Sequence, residues 1–149
     1  MTTDDFYKKY ISCAQEVERR YGVPALSCLA QSAIETGWGG SAPGNMMFGI
    51  KATPSWTGKV QNLWTSEVAN GVVKRVQAKF RAYDSPTDSF LDYGRFLKEN
   101  ARYKNAFHYS DPYLFSKEVA DAGYATDPTY YRKITSVIDT LKKKAQVIR

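Results

Sequence analysis

From Pro24 onward the apolar residues Leu26, Leu29, Ala30, Ala33 and Ile34 recur at i, i+3, i+4, i+7 and i+8, the spacing of one face of an α-helix. An earlier helix, from about Asp4 to Tyr21, carries Phe6, Tyr10, Ala14 and Val17 on one side. The turn Tyr21-Gly22-Val23-Pro24 separates the two, and its proline suits the first turn of the second helix, where no N–H bond is lost. Gly39 to Gly58 is punctuated by glycine and proline and reads as loop. Between Lys59 and Tyr83 the period changes to two: Val76, Ala78, Phe80 and Ala82 alternate with Gln77, Lys79, Arg81 and Tyr83, which predicts a strand. Asn70-Gly71, a strong hairpin-turn signal, joins it to an earlier strand through Leu63, Thr65 and Glu67. Three further helices are expected at Ser85-Pro86, Asp111-Pro112 and Asp127-Pro128, where a capping side chain precedes proline, with Gly123 closing the second. The last buries Ile134, Val137, Ile138 and Leu141 and ends in Lys142, Lys143 and Lys144, a solvated run that complements the helix dipole. The fold class is therefore mainly α (α+β), helices around a small antiparallel β-hairpin lobe.

Length and composition refine this picture. The 149 residues, 43% apolar and 14% aromatic, suffice for one sizeable core, so a single domain over 1–149 is expected. A net charge of +6 favours anionic partners, although Lys and Arg are spread along the chain rather than clustered in the patch a nucleic-acid binder presents. No apolar run approaches membrane-spanning length, and MTTDDFYKKY lacks the basic and apolar regions of a signal peptide. Cys13 and Cys28 lie on the two helices flanking the Gly22 turn with an axial mismatch of roughly 4–5 Å, so both thiols are expected to be unbridged. With one histidine, His108, metal binding has little support, and no cofactor is implied.

The candidate chemistry gathers in LAQSAIETGWGGSAPGNMMFGIKA, Leu29 to Ala52. Glu35 stands off the apolar stripe at the end of its helix, on a side that carries Cys28, Gln31 and Ser32 rather than lysines and glutamates. Both sides of this helix are thus expected to be covered and Glu35 to be partly buried, with Trp38 as an apolar wall. A carboxyl there also meets the negative end of the helix dipole, which raises its pKa and suits a general acid. The bland alternative is a surface glutamate at a frayed helix end.

AQSAIETGWGGS, NMMFGIKA, WTSEVANG, FRAYDSPTDSFLDYGRFL and AGYATDPTYYRKI, five ordered blocks between about Phe6 and Leu141, resemble the bacterial endo-β-N-acetylglucosaminidases, glycoside hydrolase family seventy-three. The resemblance implies a lysozyme-like fold and cleavage of the β-1,4 linkage between N-acetylglucosamine and N-acetylmuramic acid in peptidoglycan, with Glu35 as the acid. Muramidase cleavage of the other β-1,4 bond and a non-catalytic wall-binding module are the alternatives. The hairpin supplies Glu67, 32 residues on from Glu35, at the family's Thr-x-Glu position. Carboxyls ~6.5–9.5 Å apart would let it activate water and ~5–5.5 Å would let it act as nucleophile, whereas participation by the sugar's own acetamido oxygen would leave it only to steady charge or water. By the same resemblance Tyr124 supports catalysis beside the acid, and Asn45, Phe48 and Gly49 shape the cleft, although the segment is one methionine longer than the usual form. Trp56, Trp64 and Tyr83 are candidates for stacking on pyranose faces, and equally serve as core fillers. The expected setting is the bacterial wall or periplasm, with a monomer reached by export through a holin or a specialised secretion system, as a phage lysin or an interbacterial effector. The second setting implies an acidic periplasmic immunity protein inserted in the cleft.

Overall fold

In a computed structural model, which describes residues 1–148, five α-helices and one hairpin follow one another as α1 (Thr3–Tyr21), α2 (Ala25–Thr36), β1 (Lys59–Ala69), β2 (Val72–Ala82), α3 (Pro86–Glu99), α4 (Pro112–Asp121) and α5 (Tyr130–Val147). Short 3-10 turns cover Pro43–Asn45 and Ala101–His108. The second of these has no helical or strand periodicity and was not expected from the sequence; it buries Tyr103 and Ala106 and leaves His108 exposed.

Local chemistry sets most boundaries. At α1 the Thr2 hydroxyl accepts the Asp5 N–H at 3.0 Å while the Asp5 carboxylate accepts the Thr2 N–H, a reciprocal cap. Ser85 caps α3 and Asp111 caps α4 as expected. The expected start at Asp127-Pro128 is corrected: α5 begins at Tyr130 after Thr129. Asp127 Oδ1 accepts the Thr129 N–H at 2.8 Å and its hydroxyl at 2.7 Å, so its side chain closes a local turn two residues on instead of capping a helix three residues on.

Helix α2 is the central element. Ser27, Cys28, Leu29, Ala30, Gln31, Ser32, Ala33 and Thr36 are all buried, whereas Leu26 and Ile34 of the apolar stripe are only half-buried. Helices α1 and α5 pack on it, and α1 also packs on α3. Phe6, Tyr10, Ala14 and Val17 face this core from α1, and Ile134, Ile138 and Leu141 from α5, with Val137 half-buried beside them. Beyond them, Lys144 pairs with Asp4 of α1. Cys13 is half-buried and Cys28 buried, and both are free thiols.

The hairpin strands pair over their whole length, Lys59 with Ala82 through Ala69 with Val72, and turn at Asn70 and Gly71, φ +52° and +76°. That double left-handed turn matches the strands' own twist. Its register puts Glu67, Thr65 and Leu63 on one pleat face with Val76, Ala78 and Phe80. Residues 50–52 run antiparallel beside the hairpin base at a single bridge, Lys51 opposite Phe80: Arg81 N–H donates to the Ile50 carbonyl and Ala52 N–H to the Lys79 carbonyl, both at 2.9 Å. Together the helices and hairpin form a lysozyme-like domain.

Where α1 crosses α3, Gly94 leaves no room: a Cβ there would lie 2.6 Å from Tyr21 Cδ2 and 2.7 Å from Val17 Cγ1. Gly94→Ala is expected to destabilise the fold by ~1–3 kcal/mol through overpacking, read as a thermal midpoint several degrees lower by calorimetry. An unchanged midpoint would mean that the helices part freely at this crossing.

Candidate active site

Glu35 sits in the last turn of α2, where the chain turns away sharply. Thr36 Oγ1 donates to the Ser32 carbonyl at 2.8 Å and accepts the Gly39 N–H at 2.8 Å, and Trp38 N–H returns to the Ala33 carbonyl at 2.8 Å. The reversal leaves Glu35 exposed in a groove, not covered as the helix pattern suggested. Trp38 is no wall to it: its ring packs edge-on against Phe6 in the core, centroids 5.6 Å apart. The wall is backbone. Gly49, at φ +61°, passes so close that a Cβ on it would lie 2.7 Å from Glu35 Oε2. Only a residue without a side chain combines that conformation with that approach. Protein crowding on these sides strips water from the carboxyl and raises its pKa above the ordinary 4.5, with desolvation as the cause.

The approach of Gly49 is set by its neighbour. Phe48 is buried, stacked on Tyr93 with centroids 3.9 Å apart and planes 9° off parallel, and edge-on to Phe90 at 4.9 Å. Next to it the Met47 N–H donates to Ser89 Oγ at 2.9 Å. The segment is therefore locked to α3 from both sides of its turn.

Two hollows meet at Glu35, Gly49 and Lys51. The larger, about 590 Å³, lies under the hairpin and is bordered by Met46, Leu63, Thr65, Glu67 and Phe80. The smaller, about 290 Å³, lies toward the 3-10 turn and is bordered by Phe48, Phe96, Arg102, Tyr103 and Tyr124. Glu35 and Glu67 thus face one groove from opposite walls. Glu67 is exposed and pairs with Lys51 Nζ at 2.5 Å. Tyr124 borders the smaller hollow, and its hydroxyl donates to the Phe48 carbonyl at 3.4 Å. Burial keeps that phenol protonated far above 10, with the Glu35 charge contributing, so near the carboxyl it is available as a hydrogen-bond donor. Trp64 borders the larger hollow on the outward pleat face, 60% exposed.

The remaining residues singled out in the sequence lie elsewhere. Asn45, at φ +58°, donates its side-chain amide to the Tyr83 carbonyl at 2.9 Å and borders neither hollow, while Met46 does. Trp56 and Tyr83 do not reach the groove either. The Trp56 indole N–H donates to the Lys59 carbonyl at 2.9 Å, the Arg81 guanidinium lies 4.5 Å from its ring, and the Tyr83 hydroxyl donates to Asp92 at 2.6 Å. Both aromatics serve the base of the hairpin.

Asp92 is the functional-site neighbour that sequence reasoning missed. It is buried on α3 and accepts from Arg81 Nη1 at 3.0 Å and Arg95 Nη2 at 3.0 Å as well as from Tyr83. Arg81 Nε in turn donates to the Lys51 carbonyl at 3.2 Å. The one signal in the sequence was an acid on the buried side of a helix, next to Ser89, Phe90 and Tyr93.

Residues 11–143 match the glucosaminidase family, described as mannosyl-glycoprotein endo-beta-N-acetylglucosaminidase. The peptidoglycan hydrolase FlgJ of Salmonella typhimurium is 38% identical over 151 residues, taking in 97% of this chain and 48% of its own length. The chain spans about half the length of the curated relatives it matches. A crystal structure of a peptidoglycan hydrolase mutant from Sphingomonas sp. A1 superposes with a TM-score of 0.86 at 36% identity, covering 96% of this chain and 98% of that one. The glycoside hydrolase domain of Salmonella typhimurium FlgJ superposes at 0.82 with 35% identity, over 99% and 93% of the two chains.

Two measurements check the local geometry. Followed by carboxyl-carbon NMR across pH, Glu35 should titrate above 4.5, because desolvation favours its protonated form; a value at or below 4.5 contradicts the crowding described. Gly49→Ala should cost on the order of 1–2 kcal/mol for the left-handed conformation alone, displace Glu35, and lower the Glu35 pKa toward 4.5 as water enters.

Proposed function

The chain belongs to the glucosaminidase family, and on that premise we propose that it hydrolyses the glycan strands of peptidoglycan between N-acetylglucosamine and N-acetylmuramic acid, with Glu35 as general acid. One observation carries the reading. Glu35 is a carboxyl of raised proton affinity, standing in a groove between a helical body and a hairpin. A protonated carboxyl there gives its proton to the glycosidic oxygen as the bond from C1 to that oxygen breaks.

The rest of the groove suits the acetamido-assisted route. Glu67 is an exposed carboxylate on the hairpin wall, held by Lys51 at 2.5 Å, where it serves as an electrostatic partner for the positive charge that develops at C1. The acetamido oxygen of the N-acetyl sugar then attacks C1 as the leaving sugar departs. Water adds to the resulting cyclic intermediate, losing its proton to Glu35 and restoring the acid. Tyr124 borders the smaller hollow beside the acid, and its hydroxyl supports the reaction as a hydrogen-bond donor to the sugar bound there. Gly49 keeps the backbone against the acid, and Trp64 offers a ring at the edge of the hairpin side.

Glu35→Gln is expected to fold normally and to lose at least ~100-fold in the release of reducing ends from purified peptidoglycan, and the wild-type rate should fall as pH rises through the Glu35 pKa. An unchanged rate would remove the acid assignment. The anomeric configuration of the first product, read by NMR, should be retained; inversion would exclude acetamido participation and make Glu67 the base that activates water.

A further inference from the structure

The two hollows flanking Glu35 differ in charge. On the hairpin side, among the described residues, the charged residues besides Glu35 are Lys51 and Glu67, which neutralise one another. On the other side Arg102 adds a positive charge to the already paired Lys51. The Arg102 main chain is fixed, its N–H donating to Asn100 Oδ1 at 3.2 Å, and the next residue, Tyr103, is buried with its ring 6.0 Å from that of Tyr124. The guanidinium is exposed and, among the described residues, forms no ion pair with any carboxylate. Nor does Arg102 pair with Glu35 among the described residues: the two border the same hollow of about 290 Å³.

We propose that this hollow, bounded by Arg102, Lys51 and Tyr124, binds a carboxylate carried by the glycan, so that the acid-bearing sugar lies on this side of Glu35 and the uncharged sugar lies under the hairpin. The proposal rests on the glycan-hydrolase reading above. Arg102 is its specificity residue, since a planar guanidinium receives a carboxylate through two parallel hydrogen bonds and is always charged. The carboxylate has two possible sources, the lactyl ether of the muramic sugar and the peptide stem attached to it.

Three substrates separate these sources: intact peptidoglycan, strands stripped of peptide so that the lactyl carboxylates are bare, and stripped strands whose carboxylates have been converted to amides. The readout is the preference for charged over amidated strands, as a ratio of kcat/KM. The wild type should prefer charged strands, and Arg102→Met should reduce that ratio by about tenfold, mainly through KM, with Arg102→Lys recovering part of it. A preference greatest on stripped strands assigns the lactyl group, and one greatest on intact material assigns the stem. A ratio unchanged in Arg102→Met overturns the proposal, as does an equal loss on amidated strands. In parallel, Glu35→Gln with and without Arg102→Met is titrated by calorimetry with soluble peptide-bearing strands and with charged and amidated stripped strands. A wild type that releases no reducing ends would fail the hydrolase reading, while this binding comparison still upholds or overturns the carboxylate site: Arg102→Met must weaken only the charged strands.

Discussion

A single buried carboxylate, Asp92, holds the hairpin to the helical body. It receives two guanidinium groups and a phenol, and through Arg81 it reaches the backbone of Lys51. Removing the Asp92 carboxylate leaves the largely buried Arg81 guanidinium without a counter-charge, a loss on the order of 3–5 kcal/mol. The consequence for the groove is geometric. Lys51 and Glu67 join the floor of the groove to the hairpin, so the position of one groove wall relative to Glu35 is inherited from Asp92.

The acid is prepared by a different means. Desolvation raises the proton affinity of Glu35, and the Gly49 backbone, held close by Phe48 lying flat on Tyr93, is part of what crowds it. Stacking in the core thus becomes an electrostatic property at the surface. The carboxyl remains open to the groove while being poorly hydrated, a combination that a fully buried or fully exposed glutamate cannot offer.

Much of this was legible in the chain because it depends on near neighbours. Caps before Pro86 and Pro112, the Asn70-Gly71 turn and the alternation along β2 are local rules, and they placed α3, α4 and the hairpin. Glu35 at a helix end followed by Gly49 fourteen residues later was likewise visible, although not the exposure of the first or the contact between them. What stayed hidden depends on partners far along the chain. Asn45 and Tyr83 were expected at the groove; both instead spend their polar atoms on the hairpin base, one on a carbonyl 38 residues away and the other on Asp92. Arg102 lies in a 3-10 stretch whose position is dictated by Tyr103 packing against Phe96 and Tyr124, which no periodicity announces.

The strands of the hairpin are eleven residues each, yet beyond Lys79, where residues 50–52 end, their backbones pair among the described residues with one another alone, and Val68, Val72 and Val73 at the far end are exposed. Such an arm is a lever pivoted at its root. At about 3.3 Å per residue, a tilt of roughly 5° near Arg81 swings the valine tip by roughly 2 Å, while Lys51 near the pivot scarcely moves. A tilt of that kind would strain the Lys51–Glu67 pair and widen the groove at its hairpin mouth while leaving its floor unchanged, so the groove would open along its side rather than at one end.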